Sequence, residues 1–247
     1  LEMKNKIKIH FIGISGIGMS GIAELMKDQG YSIQGSDITL NDNSRRLKRK
    51  GIKFFIGHNK KNIKYVDAVV YSSAIKNNNP EIKAAIEKKI PILSRADMLA
   101  ELMKYKKSIA VAGSHGKTTT TSLVGNILES GKLDPTIVNG GIINSISKNN
   151  KFGKGEWMVV EADESDGSFS RLIPTIAVVT NIDLEHMDYH KNEKSLEEAF
   201  INFISSIPFY GFVSVCIDHH RIQKILSKLS NKKIITYGFS PNADIRA

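Results

Sequence analysis

Along almost the whole of this chain, short runs of β-branched and other apolar residues alternate with segments whose apolar positions recur at helical spacing. That alternation admits few folds: strands joined by helices run parallel, and a parallel sheet is covered by those helices. The sequence therefore predicts an α/β protein. In its first part the candidate strands are residues 7–14, 31–35, 52–56, 68–71 and 90–93. Between the first two, Met19, Ile22, Ala23 and Met26 mark one helical face, and Gly30 supplies the stop. Asn79 and Pro80 read as the cap and first position of another helix, with Ile82, Ala85 and Ile86 inward. A second series follows a helical stretch at 96–104 and a polar one at 105–108. Its candidate strands are 109–112, 136–138, 157–161, 176–180, 212–217 and 234–237. The helix between the first two of these carries Leu123, Val124, Ile127 and Leu128 on one face and stops at Gly131. Ser195 and Glu198 form a capping-box pattern ahead of Ala199, Phe200, Phe203 and Ile204. Residues 148–154 read as an exposed loop, and 240–247 end without a helix to close the last unit.

A chain of 247 residues, 41% hydrophobic, can bury two modest cores. Two domains are expected, 1–106 and 107–247, the second incomplete. No apolar run approaches the ~18 residues of a membrane span, and the N-terminus lacks the order of a secretory signal, so a cytosolic protein without membrane insertion is expected. Leu1 and Glu2 precede a natural-looking start at Met3 and carry no expectation. Cys216, alone of its type, lies in an apolar run and reads as a small buried hydrophobe. The net charge of +10 suits an anionic partner. The lysines are dispersed and aromatic residues make up only 7%, so no stacking platform for nucleic acid is evident and none is expected as a partner. The densest basic run, 45–50, reads as a solvated helix face.

Chemistry concentrates in four places. GSHGKTTTT, from Gly113 to Thr121, lies between an apolar strand and an amphipathic helix. Its glycines let backbone amides approach phosphate, Lys117 adds charge at the β and γ positions, and the Thr118 hydroxyl can hold Mg²⁺. ATP is the expected ligand of Gly113, Ser114, His115, Gly116, Lys117, Thr118 and Thr119. The motif departs from the usual spacing, since Val111 occupies the place of the first glycine. EADESDGSF begins at Glu161, where a strand ends and a parallel sheet presents ligands, which makes Glu161 the first metal candidate. Asp163, Glu164 and Asp166 read as solvated or loop-capping residues. The next strand ends in NIDLEHMD, from Asn181, with His186 a candidate second metal ligand.

GISGIGMSG, from Gly13, places Gly16, Gly18 and Gly21 as G-x-G-x-x-G after the first strand, with Asp37 near the end of the next. Close backbone approach to a diphosphate at a helix N-terminus follows, whether of a dinucleotide or of another nucleotide diphosphate. An NAD-dependent dehydrogenase would use this half and leave GSHGKTTTT without work.

Taken as an ordered set, these motifs resemble those of the Mur ligases, and the alanine-adding branch most closely. The matching segments are HFIGISGIGMSGIAEL from His10, GSD at Gly35, SSAI at Ser72, GSHGKTTT, VNGGIIN at Val138, EADESDGSF and TNIDLEHMDY at Thr180. Ser15 and Ser114 stand where the family usually has glycine and threonine. The resemblance implies a Rossmann-like first domain that holds the uridine diphosphate of UDP-N-acetylmuramate through Ser15, Gly16, Ile17, Gly18, Met19, Asp37, Ser72 and Ser73. Asn139, Gly140 and Gly141 would lie along its sugar. It implies a P-loop-type second domain in which Lys117 neutralises phosphate, Thr118 and Glu161 hold one Mg²⁺, His186 holds another, and Asn181 orients the reacting groups. The implied reaction joins L-alanine to the lactyl carboxylate through an acyl phosphate, with ATP and Mg²⁺ as cofactors. A recycling ligase that adds an intact peptide to the same nucleotide sugar is the nearest alternative. The family's third domain has no counterpart in these residues, which predicts uridine-nucleotide binding with little ligase turnover.

Overall fold

The computed structural model describes residues 7–139, 150–165, 167–185, 190, 192–229 and 231–247. Gly140, Gly141, Asp166 and His186 lie outside the described residues. The chain divides into two compact units, Leu1–Leu99 and Ala100–Ala247, a division inside a helix rather than in the polar stretch 105–108.

In the first unit β1 (Lys8–Ile12), α1 (Ile17–Asp28), β2 (Ser32–Asp37), α2 (Asp42–Arg49), β3 (Lys53–Ile56), β4 (Ala68–Tyr71), α3 (Pro80–Glu87) and β5 (Ile92–Ser94) follow in order, with α4 (Arg95–Met103) crossing the division. The five strands are parallel in the order β3-β2-β1-β4-β5. The chain first builds outward from β1 on one side and then returns to its other side, so a crevice opens at the carboxyl ends of β1 and β4. Met19, Ile22, Ala23 and Met26 of α1 are buried, as their spacing requires. Asn41 and Ser44 form a reciprocal capping box on α2, whose Arg45, Lys48 and Arg49 are exposed. In α3, Ile82 and Ala85 are buried but Ile86 is 62% exposed, against expectation. The buried face of this helix is Glu81, Ile82, Ala84 and Ala85, and Ile86 falls outside it.

Glu81 explains how polar residues survive in a buried strand. The side chains of His10, Gln34 and Ser36 are all buried. Ser36 Oγ donates to Glu81 Oε2 at 2.5 Å and Asn62 Nδ2 to Oε1 at 2.7 Å, while His58 Nδ1 and His10 Nε2 stand 3.1 and 3.5 Å from Oε2. Gln34 Nε2 bridges His10 Nδ1 and the Asn62 carbonyl. Burial alone would raise the Glu81 carboxyl, yet His10, with Ser36 and Asn62, holds it below the usual carboxylate range.

The second unit contains β6 (Lys107–Ala112), α5 (Lys117–Ser130), β7 (Thr136–Val138), β8 (Asn150–Lys151), β9 (Trp157–Glu161), β10 (Ile176–Val179), α6 (Glu193–Ser205), β11 (Phe212–Cys216), α7 (His220–Leu226), β12 (Ile234–Gly238) and β13 (Ile245–Arg246). They form one sheet in the order β13-β12-β11-β10-β6-β9-β7-β8, parallel except for β8 against β7. Two short edge strands, β8 and β13, fall where a loop and an unclosed end were expected. β6 is buried almost throughout and lies between β9 and β10, which fits its unbroken apolar run. Phe169 packs against Phe200 and Phe203 of α6 with ring centroids 5.1 and 5.2 Å apart.

Three further expectations are corrected here. In α5, Leu123 is 57% and Ile127 70% exposed, while Thr121 and Gly125 are buried. A Cβ at Gly125 would come 2.4 Å from Ile137 Cδ1, so the helix rests on the sheet through its smallest residue and its longer apolar stripe is rotated outward. The cap of α6 is Asn192, whose side chain accepts the Ser195 amide; Ser195 stands inside the first turn instead of at the cap. Cys216 is partly exposed rather than buried, beside Tyr237 on β12, whose phenol is pushed up to about 12 chiefly by burial. Among the described residues no helix is long and apolar enough to cross a membrane.

Candidate functional site

Each unit carries a glycine loop between its central strand and the following helix. In the first, Gly13 adopts a φ of +78° and forms the tight turn, whereas Gly16, the first glycine of the G-x-G-x-x-G pattern, has an ordinary φ of −59° and caps α1. The Gly13 and Ile14 amides donate to the Ser36 carbonyl at 2.8 and 3.1 Å. The Ser15 amide donates to Asp37 Oδ2 at 2.9 Å, and Asn41 and Asn43 reach the Ser15 carbonyl. Asp37 thus braces the loop from the neighbouring strand. Gly35 is required by proximity, since a Cβ there would lie 2.5 Å from Ile14 Cδ1 and 2.6 Å from the Phe11 carbonyl. Ser72, at the end of β4, sits against Gly13, and Ser73 is exposed. Gly16 and Ile17 are exposed at the loop, and Arg95 lies beside Gly18. Met19 is 1% exposed and belongs to the core, so its side chain is not offered to a ligand. The start of α1 has neither a side-chain cap nor an acidic residue, which leaves its amides and the positive end of its dipole to an anion.

The second loop runs from Gly113 to Gly116 into α5. Gly113 has φ +140° and a Cβ there would fall 2.1 Å from Thr180 Oγ1; Gly116 has φ +79° and caps the helix without any side-chain hydrogen bond. The loop is fastened to the end of β10. Asn181 accepts from the His115 amide at 2.8 Å and donates to the His115 carbonyl at 3.0 Å, and Thr180 Oγ1 donates to the same carbonyl at 2.7 Å. Ser114 Oγ accepts the Asp183 amide at 2.8 Å. Both ends of the Asn181 amide are therefore spent on the loop backbone instead of facing reacting groups. Beyond it, His115 lies 3.5 Å from Asp183 and 3.6 Å from Glu185, and His219 and Arg221 converge on Asp183 at 3.3 and 3.6 Å. His115 and Thr119 are exposed.

From β9, on the other side of β6, come two carboxylates. Thr118 Oγ1 stands 2.9 and 3.0 Å from the Glu161 oxygens. Lys117 Nζ donates to the Gly113 and Ser114 carbonyls at 2.7 and 3.1 Å and to Glu164 Oε1 at 2.9 Å. Glu164 was expected in solvent; it is 1% exposed, and burial raises its carboxyl in spite of the Lys117 ammonium. Its place three residues beyond Glu161 on a loop that turns back was the only sequence signal available. Asp163 behaves as a loop-capping residue, with Oδ1 accepting the Ser165 amide. Asn139, at the end of β7, is buried.

The Thr118 hydroxyl, hydrogen-bonded to the Glu161 carboxylate, forms with it a hard oxygen pair suited to Mg²⁺. No group of three or more His, Cys, Asp or Glu side chains among the described residues could hold a metal.

The comparisons with known proteins give the chain a family. A family model described as "Mur ligase family, catalytic domain" matches residues 8–107, and one described as "Mur ligase middle domain" matches 111–247. The UDP-N-acetylmuramate--L-alanine ligase of Granulibacter bethesdensis is 57% identical over 239 residues, covering 97% of this chain and 50% of that protein. The enzyme of the same name from Methylobacterium radiotolerans is 55% identical, covering 96% and 51%. Among solved structures, the UDP-N-acetylmuramate-alanine ligase MurC of Thermotoga maritima aligns with a TM-score of 0.79 at 30% identity, covering 96% of this chain and 53% of that one. The chain spans about half the length of the curated relatives it matches. With both domain models matched along the sequence and relatives more than 50% identical over nearly all of its length, the chain belongs to the Mur ligase family.

Proposed function

We propose that this chain carries the uridine-nucleotide and ATP sites of a UDP-N-acetylmuramate:L-alanine ligase. The observation that carries the reading is the convergence on one sheet edge, across β9, β6 and β10, of Glu161, Glu164, Lys117, Thr118 and Asn181. The glycine loop and Lys117 receive the triphosphate of ATP; Thr118 and Glu161 hold Mg²⁺, with His186 a further ligand. Bound there, the cation would neutralise charge on the phosphates. The lactyl carboxylate of UDP-N-acetylmuramate attacks the γ-phosphorus, ADP departs, and the amine of L-alanine displaces phosphate from the acyl phosphate to form the amide, releasing one proton. Lys117 stabilises the charge on the transferring group, and Asn181 acts at one remove by holding the loop that binds it. The first unit contributes binding: Asp37 braces Ser15, and the exposed start of α1 takes the uridine diphosphate, with Ser72 and Ser73 beside it.

The test is ADP release by the full-length protein with UDP-N-acetylmuramate and either free L-alanine or murein tripeptide. Turnover with L-alanine is expected. Turnover with tripeptide alone would reassign the protein to peptide recycling, and saturable NADH binding without uridine-nucleotide binding would overturn the reading of the first unit.

A further inference from the structure

An ammonium group has three hydrogens to donate and nothing else to offer. Those of Lys117 meet three acceptors: the Gly113 carbonyl, the Ser114 carbonyl and Glu164 Oε1. The lysine that is to meet phosphate is thus folded back onto its own loop. Two of its acceptors belong to that loop, but Glu164 is tied to other elements. Its carbonyl accepts from the Gly167 amide at 3.2 Å and is in contact with His190 Nε2 at 2.8 Å, and the Asp163 carbonyl before it accepts the Phe169 amide at 3.2 Å. Phe169 in turn is locked between Phe200 and Phe203. Glu164 is therefore a buried acceptor tied down through its backbone, set against a long and adjustable cation. Glu161, on the same loop, engages Thr118. Neighbouring residues of the helix start are each held by a different carboxylate.

We propose that Glu164 is a latch on Lys117, a positioning residue that keeps the ammonium withdrawn until a polyphosphate competes for it. This rests on the assignment of the second loop to a nucleotide triphosphate. The exchange is one acceptor for another: the Lys117–Glu164 ion pair opens and a phosphate oxygen takes the ammonium. A ligand that brings several phosphate charges can drive that exchange, whereas a nucleoside without them gains nothing from it. The latch thus adds a charge requirement to a loop whose backbone alone would accept any small anion.

Two variants separate the latch from a simple field effect. Glu164→Gln removes the charge; Glu164→Asp keeps it and shortens the arm so that it no longer reaches Nζ. Acetylation of Lys117 by an amine-reactive ester, quantified by mass spectrometry on the nucleotide-free chain, reads release of the ammonium. Equilibrium titration with the non-hydrolysable triphosphate AMP-PNP and Mg²⁺ reads the cost of opening the latch. Expected are faster Lys117 acetylation in both variants, slowed again by AMP-PNP, and tighter AMP-PNP binding in both, by about tenfold for each ~1.4 kcal/mol of pairing removed. Unfolding temperatures within a few degrees of the parent verify that each variant is folded; Glu164→Asp alone suffices if Glu164→Gln is not. Tighter binding in Glu164→Gln with Glu164→Asp like the parent would reduce the effect to electrostatics and overturn the latch. Unchanged Lys117 acetylation in both variants would also overturn it. A parent chain whose Lys117 is neither protected by AMP-PNP nor able to bind it would refute the nucleotide site itself.

Discussion

The two units use one device and load it differently. Both place a glycine loop after the central strand of a parallel sheet, and both start the next helix without a side-chain cap. In the first, a carboxylate, Asp37, holds the loop's backbone amide, and no lysine enters. In the second, carboxylates hold the side chains of the helix start, Lys117 and Thr118, while the loop backbone is held by neutral groups of Thr180 and Asn181. The first arrangement fixes the backbone that the proposed function assigns to a diphosphate. The second sets a cation and a hydroxyl beside acids, where the proposed triphosphate and its metal would meet them. One buried glutamate in each unit is shifted, and in opposite directions: His10, with Ser36 and Asn62, holds Glu81 below the usual carboxylate range, while burial outweighs Lys117 and pushes Glu164 up.

The largest expected effect divides the units by function. Lys117→Ala in the full-length protein should lower ligation by at least ~10³-fold, the scale of a lost charge in phosphoryl transfer. Its affinity for UDP-N-acetylmuramate should stay unchanged; a parallel loss of uridine-nucleotide binding in a titration would erase the distinction between the loops.

Next comes backbone strain. Gly113→Ala forces a side chain onto Thr180 Oγ1 at a φ of +140°, whereas Gly16→Ala meets only the Gly13 carbonyl at 3.4 Å with an ordinary φ. Denaturant unfolding should show a loss of about 2–4 kcal/mol for the first and under ~1 kcal/mol for the second. Equal losses would mean that the two loops are equally constrained.

The smallest effect concerns the glutamates. Glu81→Gln should cost about 1–3 kcal/mol at neutral pH, because buried donors of Ser36, Asn62 and the histidines lose a charged acceptor. Since the folded carboxyl lies below its unfolded value, that stability is present above the unfolded pKa and is lost as pH falls through the folded one. The gap between parent and variant should therefore close on acidification below about pH 4.5. Glu164 has the opposite sign: its raised carboxyl contributes below the unfolded pKa and loses that contribution as pH rises through the folded value. Glu164→Gln should thus be neutral or stabilising at pH 7. Unfolding curves across pH 3–8 that moved the two variants together would break the contrast.

Much of the fold was legible because strand alternation and helix spacing are local. β4 and β7 match their expected spans, and the spacing of α1 named its buried face. The failures are long-range. Leu123 and Ile127 look inward by periodicity, but the close approach of Gly125 to Ile137 turns α5 the other way. Ile86 yields its place to Glu81, whose partners come from β1, β2 and the segment after β3. At the site, Lys117, Thr118 and Glu161 were named from their motifs; Glu164 was misjudged because a charged residue in an acidic loop is ordinarily solvated.

By itself the sequence determined the alternating α/β architecture, the two glycine loops and the residue types at the strand ends, since these depend on spacing along the chain and on local backbone demands. Only the tertiary structure decided which carboxylate faces which cation, which glycine makes the turn, and that Glu81 and Glu164 are buried. Those outcomes depend on strands far apart in sequence arriving side by side, and no local pattern encodes the distance between them.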